Sequence, residues 1–512
     1  MALKSLNLHT RLRSVFDLER LGKERMYYLI LGFLLLLQLC PIWFSPYPAM
    51  SDYPNHLARV HILYYYGSNE AYQELYELEP GVIPNLAMDL MVPALMNIVS
   101  IEDSSKIFLS LIILLFGIGL HLLGLVVNDR PYWNALVAIF FVYNFTLSYG
   151  FVNYMFGMGL FFITLATWLR FRSSWTSIRL FSLIALAMLC YVSHLSAFVF
   201  LGISLSCLTA FQLIKTKLFQ WGHVIGLLPL VPPSLTYLWY LSGIEASAPM
   251  EWWHPILLKK IMGLVYPFLS YNLVIDGGLG LAFIVLTIIS LKLNEARIVR
   301  WELLLLGGVF LALYLVSPMK GAQSSYVDRR FLLPAAVFLF LALPIALSTR
   351  VVGRYVLIGF LTLPVMRAVE VWYYWNWIGH EVQKQVQLLE HLPEGSRLYP
   401  MVLHDQSSPK SWLWDMHFFY TAHYATIYRH AFVPTIYAWK TQNTLHMRLP
   451  NTGYVQTERD TLMDQVNWKA IFSKYDYLWG YKLSEEFKRF LLSNGQLVAQ
   501  SGDAILIRIR KG

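Results

Sequence analysis

The chain has 512 residues, of which 57% are hydrophobic and 14% charged, against roughly 45–50% and 25% in average soluble domains. This excludes an ordinary soluble enzyme and indicates a chain whose solvent is mainly the lipid bilayer. Cys40, Cys190 and Cys207 all lie in apolar runs, so neither a disulfide framework nor redox chemistry is expected. The net charge of +9 comes from Lys and Arg beside apolar runs, with no long basic tract. We therefore interpret it as a sign of membrane topology and not of nucleic-acid binding.

Apolar runs long enough to span a bilayer recur between residues 26 and 371. At 1.5 Å per residue, the first run, Met26–Phe44, covers a hydrocarbon core of about 30 Å. We predict eleven spans, at 26–44, 107–127, 133–149, 151–169, 179–193, 196–214, 222–241, 276–292, 301–317, 331–347 and 354–371. No cleavable signal peptide is expected, because the first run leads into a chain that stays embedded.

The basic residues predict the orientation of these spans. Those that precede the first span place the N-terminus in the cytoplasm: Lys4, Arg11, Arg13, Arg20, Lys23 and Arg25. The stretch Val82–Ser100 is moderately apolar but interrupted by polar residues and prolines. If it stays outside, 17 basic residues fall on the cytoplasmic side and 7 on the outer side, whereas a crossing would divide them equally. We therefore predict an outer, membrane-surface or re-entrant segment.

This topology predicts long outer loops and an outer tail. The loops are 45–106, 242–275 and 317–330, and the tail is 372–512. In the tail, charge returns, and the pattern predicts a helix at 379–391, strands at 397–403 and 475–481, a helix at 484–492 and a hairpin at 496–510. The predicted fold class is a mainly α, polytopic membrane protein with about eleven transmembrane helices over residues 1–371, followed by a soluble extracytoplasmic α/β domain over residues 372–512.

The first outer loop contains the first candidate for acid–base chemistry. If residues 51–59 are helical, Asp52, His56 and Arg59 share one face, at i, i+4 and i+7. A partly desolvated carboxylate beside an imidazole is a plausible general base, and a guanidinium can hold an anionic group. Alternatively, Ser51 or Asp52 is only the N-cap of this helix, with Pro54 in its first turn.

Asp89 is the second acidic candidate. It interrupts an apolar stretch at or just above membrane depth, where ionisable residues are costly and favour a functional interpretation. The alternative is an interfacial acid that faces water.

The loop 317–330 carries Lys320, Arg329 and Arg330 on the side of the membrane where basic residues are disfavoured. Arginine makes bidentate contacts with phosphate, so the two arginines are candidates for binding a lipid-linked phosphate, to which Lys320 adds charge. The alternative is anchoring to lipid headgroups, with Asp328 as a partner.

Two residues at the outer ends of spans are further candidates for this phosphate site. Arg367 lies near the outer end of the last span, with Glu370 as an alternative ion-pair partner. His194 lies between two spans and either touches a phosphate or makes an interhelical hydrogen bond.

The loop 242–275 contains a possible substrate contact. Glu251, Trp253 and His254 could stack on and hydrogen-bond a sugar, although tryptophans at this depth are usually interfacial anchors. In the tail, the sequence shows no recognisable metal-ligand spacing, and we interpret one acidic and histidine-rich group as surface or acceptor contacts. That group is His404, Asp405, Asp415, His417 and His423.

The arrangement as a whole resembles the GT-C superfamily of membrane glycosyltransferases, which includes the protein O-mannosyltransferases and the lipid A aminoarabinose transferase. The segment 51–56, Ser-Asp-Tyr-Pro-Asn-His, occupies the place of the catalytic aspartate of these enzymes. The segment 326–331, Tyr-Val-Asp-Arg-Arg-Phe, resembles their outer-loop arginine element. Tyr53 follows Asp52, so the Asp-Glu dipeptide of protein O-mannosyltransferases and oligosaccharyltransferases is absent, which argues against those two activities.

This resemblance implies inverting transfer of a sugar from a polyprenyl-phosphate donor to a lipid, glycan or protein acceptor on the outer face of the membrane. Asp52 would take the acceptor proton, with His56 beside it, and Asp89 would orient the acceptor or help to bind a divalent cation. The charge on the leaving phosphate would be stabilised by a set of basic residues: Arg329, Arg330, Lys320, Arg367, His194 and Arg59. The metal dependence is left open, and the lack of eukaryotic sorting signals favours a bacterial inner membrane.

Two other classes of function remain open. A transporter or flippase predicts charged residues at the membrane midplane and pseudo-symmetric halves with broken helices. A non-catalytic envelope-assembly or sensory protein also explains a soluble tail, and it predicts that Asp52 can be replaced without loss. An O-antigen ligase or polymerase is nearer, but it would centre catalysis on a late outer loop.

Overall fold

Helices dominate the chain as far as residue 389. The computed structural model describes residues 18–242, 249–293, 299–321, 324–344, 351–402, 416–440, 442–448 and 466–511. The first ten α-helices are α1 (Leu18–Phe44), α2 (Tyr53–Tyr65), α3 (Glu70–Leu75), α4 (Ala87–Leu95), α5 (Ile101–Asn128), α6 (Trp133–Ala138), α7 (Phe145–Tyr149), α8 (Val152–Phe171), α9 (Ser177–Ser193) and α10 (Leu195–Thr216). The next eight are α11 (Trp221–Ile225), α12 (Val231–Ser242), α13 (Ile256–Gly263), α14 (Leu273–Leu293), α15 (Trp301–Val316), α16 (Val327–Arg330), α17 (Leu332–Ala342) and α18 (Val351–Leu389).

Seven helical segments among the described residues are long and apolar enough to cross a membrane. These segments are Glu24–Phe44, Ile101–Asn128, Val152–Phe171, Leu195–Thr216, Trp221–Ser242, Leu273–Leu293 and Val351–Leu389. Three shorter apolar segments are Trp133–Tyr149, Ser177–Ser193 and Trp301–Val316. The eleven predicted spans largely coincide with helix, but 133–149 is interrupted at Tyr143 and Asn144, the helix in 331–347 ends at Ala342, and residues 345–347 lie outside the described part. The polytopic helical fold class is therefore confirmed, while seven helices, and not eleven, meet the length and composition of a span.

The surfaces of these helices separate into a lipid-like exterior and a tight interior. Large apolar side chains such as Leu29 and Leu36 on α1 are about two-thirds exposed or more, at 71% and 67%, as expected where lipid replaces water. Inside, α5 and α8 cross at Gly119 and Gly159. A Cβ on Gly159 would lie 2.6 Å from the Cβ of Leu115. This crossing therefore depends on small residues, as membrane helix interfaces often do.

The segment between α1 and α5 folds into short elements. It contains α2, α3, the three-residue strand β1 (Tyr76–Leu78) and α4. The nine residues of α4 cover only about 14 Å at 1.5 Å per residue, less than half of a hydrocarbon core of about 30 Å. The stretch 82–100 thus contains no helix long enough to cross a bilayer.

The tail contains a small mixed sheet. The strands of the tail are β2 (Leu398–Val402), β3 (Leu445–Met447), β4 (Tyr477–Tyr481), β5 (Gly495–Ser501) and β6 (Ala504–Ile509), and the helices of the tail are α19 (Tyr424–Arg429), α20 (Trp468–Lys474) and α21 (Glu485–Ser493). The four-stranded sheet has the order β2-β4-β6-β5, with β2 parallel to β4 and the other pairs antiparallel. The predicted tail strands, the helix at 484–492 and the final hairpin are therefore confirmed within the described residues.

Two of the connections between the tail and the preceding part of the chain are elements of secondary structure. Strand β1 of the first loop pairs antiparallel with β3 of the tail, with Tyr76 opposite Met447. Helix α18 is continuous through residue 372, where the predicted tail begins, and contains the predicted helix 379–391 as far as Leu389. The first loop and the tail consequently form one surface, on which the candidate site lies.

Candidate functional site

Asp52 begins α2. Its backbone carbonyl accepts a hydrogen bond from His56 N at 3.0 Å, so the residue stands at the N-cap position. Its φ and ψ of −82° and −8° are helical, and its carboxylate makes no capping hydrogen bond, because an N-cap side chain normally needs an extended backbone to reach the next amides. Ser51 donates its hydroxyl to the carbonyl of Met416 at 2.8 Å and does not cap either. Asp52 is therefore the N-cap residue by position, with Pro54 in the first turn, but its side chain makes no capping hydrogen bond.

Gly150 holds the backbone of Asp52 against the start of α8. The Asp52 amide donates to the carbonyl of Tyr149 at 2.9 Å. Gly150 has φ of +103°, and a Cβ there would lie 2.8 Å from the Asp52 amide nitrogen. A side chain at this position would be both strained and in collision, so glycine is required for the close approach.

A cavity of about 170 Å³ opens beside Asp52, and His56 and Arg59 line it as well. The face predicted from the i, i+4, i+7 spacing is therefore found. The described wall also includes residues from α7, α8 and α16, from the connections between helices and from the tail: Asn85, Tyr149, Phe151, Asn153, Tyr154, His194, Arg330, Tyr437, Trp439 and Asn443. The cavity is thus assembled from segments that are far apart in sequence.

Tyr437 brings the tail into contact with Asp52. Its hydroxyl donates to Asp52 Oδ1 at 3.1 Å and lies 2.7 Å from the hydroxyl of Tyr420. Its backbone amide donates to Asn55 Oδ1 at 2.7 Å, and Arg59 Nη1 donates to its carbonyl at 3.4 Å. Side chains of α2 therefore hold both the backbone amide and the backbone carbonyl of Tyr437. These contacts position its hydroxyl beside the candidate base.

Arg59 and Asp89 form a buried ion pair. Arg59 Nε lies 3.2 and 3.1 Å from the two carboxylate oxygens of Asp89, and Nη2 lies 2.8 Å from Oδ1. Their side chains are 1% and 3% exposed. Asp89 is not among the residues of the cavity wall, so the structure gives it the role of neutralising Arg59. The roles that the resemblance implied for Asp89, acceptor orientation or help in binding a divalent cation, stay predictions.

His56 is held as a neutral ring. Burial, followed by the charge of Arg59, keeps the pKa of His56 well below its ordinary value of 6.5. Its ring stands edge-on to Tyr437 with centroids 5.7 Å apart, and its Nδ1 has no hydrogen-bond partner. At neutral pH this histidine can donate or accept a hydrogen bond with a bound group, but it carries no charge.

Arg330 is the basic residue of the segment 326–331 that reaches the cavity. Its Nη2 donates to Ser324 Oγ at 2.8 Å and to the carbonyl of Ser325 at 3.2 Å, and its Nε is buried without a partner. Burial lowers the pKa of Arg330 to about 10, against the opposing effects of Tyr154 and Asp52. The group therefore stays protonated at neutral pH and presents a positive charge on the same wall as Asp52.

Arg329 occupies a different environment, although it is the preceding residue. Its guanidinium carbon lies 3.7 Å from the ring centroid of Tyr266, 4.3 Å from Trp253, 4.5 Å from Tyr326 and 5.6 Å from Phe145. Such a cation–π arrangement stabilises a desolvated guanidinium. Arg329 is not on the cavity wall. Of the two adjacent arginines predicted to bind phosphate, the structure therefore brings only Arg330 to Asp52.

The predicted substrate loop packs around this ring cluster and not around the cavity. Trp253 donates from Nε1 to Asp328 Oδ2 at 2.9 Å, and Lys260 Nζ binds the same oxygen at 2.7 Å. Lys320 pairs with Glu251 at 3.0 Å, with both side chains about half exposed. These residues and the exposed His254 do not line the cavity wall, so their predicted substrate and phosphate contacts are not found in this arrangement.

Arg367 is enclosed in an ion-pair network of its own. It is fully buried and bonds to Asp276, to Glu370 Oε2 at 2.8 Å and to the carbonyl of Phe268 at 2.5 Å. The partner that the sequence suggested, Glu370, is therefore a real one. Arg367 is not on the cavity wall, and its charge is already balanced, so the geometry gives it no access to a phosphate there.

The remaining predicted histidines lie at or behind the cavity. His194 lines the wall and accepts from Ser196 N at 3.0 Å through Nδ1. His417 and His423 are 2% and 0% exposed, so they are not surface residues, and the alternative that they contact the acceptor stays a prediction. His423 Nε2 lies 3.1 Å from Thr435 Oγ1, in the segment that carries Tyr437. His404, Asp405 and Asp415 lie outside the described residues.

Sequence reasoning missed the tail side of the cavity. Tyr437, Trp439 and Asn443 belong to a segment with one charged residue, Lys440, and no motif to mark it as functional. The signal that was available is the apolar, aromatic composition of residues 431–439 within a polar tail, which indicates a buried segment. Asn85 and Asn153 were also missed. Asn153 Nδ2 donates to the Asn85 carbonyl at 2.7 Å.

The described residues contain no cluster of three or more His, Cys, Asp or Glu side chains that could hold a metal ion. We therefore assign no protein ligands to a divalent cation in this part of the chain.

Comparisons with known proteins give a structural likeness but no match in sequence. No protein-family model matches the sequence, and a search of curated proteins finds no match. Among solved structures, the fold is similar to that described as the crystal structure of ArnT from Cupriavidus metallidurans bound to undecaprenyl phosphate. The TM-score is 0.47 and the sequence identity 9%, over 94% of this chain and 97% of that chain.

Proposed function

We propose that this protein is an inverting membrane glycosyltransferase that moves a sugar from a polyprenyl-phosphate donor to a hydroxyl of a lipid, glycan or protein acceptor. The observation that carries the proposal is the presence of a carboxylate, Asp52, and a protonated guanidinium, Arg330, on the wall of one cavity. The cavity lies between helices that are long enough to cross a membrane and a tail that contains a sheet. A lipid-anchored donor could reach this cavity from the side of the apolar helices, and a more polar acceptor could reach it from the side of the tail.

Asp52 is the proposed general base. Only 5% of this residue is exposed, so few water molecules compete for its carboxylate. It would accept the proton of the acceptor hydroxyl as that oxygen forms a bond to the anomeric carbon. The bond between the anomeric carbon and the phosphate oxygen breaks on the opposite face, and its electron pair leaves with the phosphate. One such displacement inverts the configuration at the anomeric carbon.

Arg330 is the proposed group that stabilises the departing phosphate. Charge grows on the leaving oxygen in the transition state, and a fixed cation in a site with little water stabilises it best. Arg59 lines the same wall, but Asp89 already neutralises it. We therefore assign the phosphate contact to Arg330, with the neutral His194 and His56 as hydrogen-bonding neighbours.

An apolar groove is available for the lipid tail of the donor. A cavity of about 330 Å³ lies among α14, α15 and α17, and its described lining is almost wholly apolar, with Phe268, Phe283 and Phe340 among its residues. Phe268 follows Tyr266 of the ring cluster around Arg329 by two residues. A groove of this composition suits a prenyl chain and would not hold a free nucleotide-sugar.

The proposal is tested with the full chain in lipid nanodiscs and a set of polyprenyl-phosphate-linked sugars, by measuring released polyprenyl phosphate. Asp52→Asn should reduce turnover by about 10³-fold or more, since a general base contributes about 10²–10⁴-fold. The matched control is Asp103→Asn, at an exposed acid in the first turn of α5. Turnover in Asp52→Asn equal to that of wild type and of the control would refute the assignment of the base. If the wild-type protein released no polyprenyl phosphate from any donor, the proposed function would be refuted.

A further inference from the structure

A second and larger cavity, of about 400 Å³, lies between the C-terminal half of α18 and the tail sheet. It shares no lining residue with the cavity beside Asp52. Its volume is within the range of about 300–1,000 Å³ that is typical of small-molecule sites. No part of the proposed transfer reaction uses it.

One wall is a stripe along α18. Trp377, Glu381, Lys384 and Gln385 line the cavity and follow one another at i, i+4, i+7 and i+8. This spacing places all four side chains on one face of the helix. The opposite wall is formed by Phe418, by Tyr481 at the end of β4 and by the turn between β5 and β6.

The walls combine aromatic rings with an unused hydrogen-bond acceptor. Trp377 is 45% exposed, so part of its ring is open to a ligand, and Phe418 and Tyr481 also line the cavity. Gln385 is 5% exposed, and its Oε1 is buried without a hydrogen-bond partner. A buried acceptor without a partner costs about 1–3 kcal/mol, so its retention on a cavity wall points to a ligand that donates a hydrogen bond.

The charges of the cavity restrict the ligand further. Two of its lining residues are acidic, Glu381 and Asp503, and two are basic, Lys384 and Lys482. Glu381 and Lys384 are already paired at 2.7 Å. With equal numbers of both signs, the wall has no net attraction for an anion such as a phosphate or for a cation.

A short turn connects this cavity to the proposed catalytic site. Met416–Phe418 form one 3₁₀ helix. At one end, the carbonyl of Met416 accepts from Ser51 Oγ at 2.8 Å, next to Asp52. At the other end, Phe418 lines the second cavity. A ligand seated there is therefore one turn of chain away from the residue that precedes the candidate base.

We infer that this cavity binds a neutral saccharide. Aromatic faces pack against the C–H faces of a sugar ring, and its hydroxyls donate to Gln385 Oε1 and to the carboxylates at the rim. A neutral, hydroxyl-rich ligand fits all three features of this wall: the aromatic rings, the hydrogen-bond acceptor and the balanced charges. The inference goes beyond the transfer reaction and does not depend on it, because a saccharide site beside a catalytic cavity can hold the far end of a glycan acceptor or a free sugar.

The test is isothermal titration of the full chain, in nanodiscs free of glycoside detergents, with six neutral probes. These probes are glucose, galactose, mannose, N-acetylglucosamine, maltose and cellobiose, and glucose 6-phosphate serves as an anionic comparison. We expect saturable binding of at least one neutral probe and weaker binding of the anion. Trp377→Ala should weaken the binding about tenfold through the loss of one ring platform. Trp372→Ala is the matched control, at a tryptophan of similar exposure, 43%, on the same helix outside the cavity wall.

Gln385→Leu separates binding from folding. Because it removes a buried acceptor that has no partner, it should leave the thermal stability unchanged or raise it while weakening saccharide binding. Asp52→Asn should bind the probe as wild type does, even if it has lost turnover, so the two proposals fail separately. The inference is overturned if none of the six neutral probes binds, if only the anionic sugar binds, or if Trp377→Ala and Gln385→Leu both bind as tightly as wild type.

Discussion

Asp89→Asn tests whether Asp89 acts on a substrate or on Arg59. In the structure, three contacts of 3.2 Å or less join the Arg59 guanidinium to the Asp89 carboxylate, and both side chains are almost fully buried. The substitution keeps the size of the side chain and one acceptor oxygen but removes its charge. It leaves a guanidinium inside the protein without a counter-charge.

The expected loss of stability is large. Breaking a buried ion pair by removing one partner costs about 3–5 kcal/mol, and the asparagine oxygen places the variant near the lower end, at about 3 kcal/mol. Arg59 also bonds to the carbonyl of Tyr437, so the tail segment should loosen together with α2. The double variant Arg59→Met/Asp89→Leu removes both charges and should recover most of the stability, since apolar replacement of a whole buried pair is often neutral.

The assay is thermal inactivation of the nanodisc-embedded chain, combined with amide hydrogen exchange of α2 and of residues 435–440. Asp103→Asn serves as the control for loss of an exposed acid. An Asp89→Asn protein with wild-type stability and wild-type exchange, but without turnover, would contradict the ion-pair role. It would restore the interpretation that the sequence alone favoured, in which Asp89 contacts the acceptor or a cation.

Three further outcomes are expected. Tyr437→Phe should lower the free energy of unfolding by about 1.5–3 kcal/mol, because it removes one hydrogen bond to a buried carboxylate, and it should lower kcat/KM because the hydroxyl no longer positions Asp52; unchanged stability together with unchanged kinetics would contradict the contact. Gly150→Ala should abolish turnover and lower the melting temperature, since a Cβ there would lie 2.8 Å from the Asp52 amide nitrogen; an active, stable variant would mean that the start of α8 can shift. Burial lowers the pKa of His423 to about 4, so its stabilising effect is complete above the unfolded value of 6.5 and decreases as the pH falls towards 4. At pH 5 the loss is about 2 kcal/mol, and His423→Gln should make the melting temperature less sensitive to pH between 7 and 5, whereas an unchanged slope would refute this origin.

The parts of the fold that depend on local patterns were accessible from the sequence. Long apolar runs predicted helices because a bilayer leaves few other ways to satisfy the backbone. Alternation and turn residues predicted β4 and the final hairpin, and Ser484 marked the start of α21, where its side chain accepts from Phe487 N. Span counting was less secure, because polar or proline residues break several apolar runs. Asn144, for example, caps α7 in the middle of the predicted span 133–149.

The candidate site was accessible only where its residues share one helix. Asp52, His56 and Arg59 were grouped correctly because a helical period places them on one face. The pairing of β1 with β3, and the contact of Tyr437 with Asp52, join residues more than 360 positions apart. Long-range pairings of this kind leave no periodic trace in either segment. The tail side of the cavity could therefore not be predicted from the pattern of the tail alone.

The two adjacent arginines show the same limit on a smaller scale. Successive residues of a helix point about 100° apart, as follows from 3.6 residues per turn, so the helical period alone does not place Arg329 and Arg330 on one cavity wall. The sequence alone does not indicate which of the two arginines lines the cavity. In the structure, rings surround Arg329, whereas Arg330 shares a wall with Asp52.

Charge compensation narrows the choice of the working cation further. Among the basic residues suggested for the phosphate, Lys320 pairs with Glu251, Arg59 with Asp89, and Arg367 with Asp276 and Glu370. Arg329 has no place on the cavity wall, and His194 is an acceptor for a backbone amide. Arg330 alone of these both lines the cavity and bonds, among the described residues, only to neutral oxygens. A free anion would therefore gain most at Arg330, and this is why the proposed leaving-group contact depends on Arg330 and not on the number of basic residues in the loop.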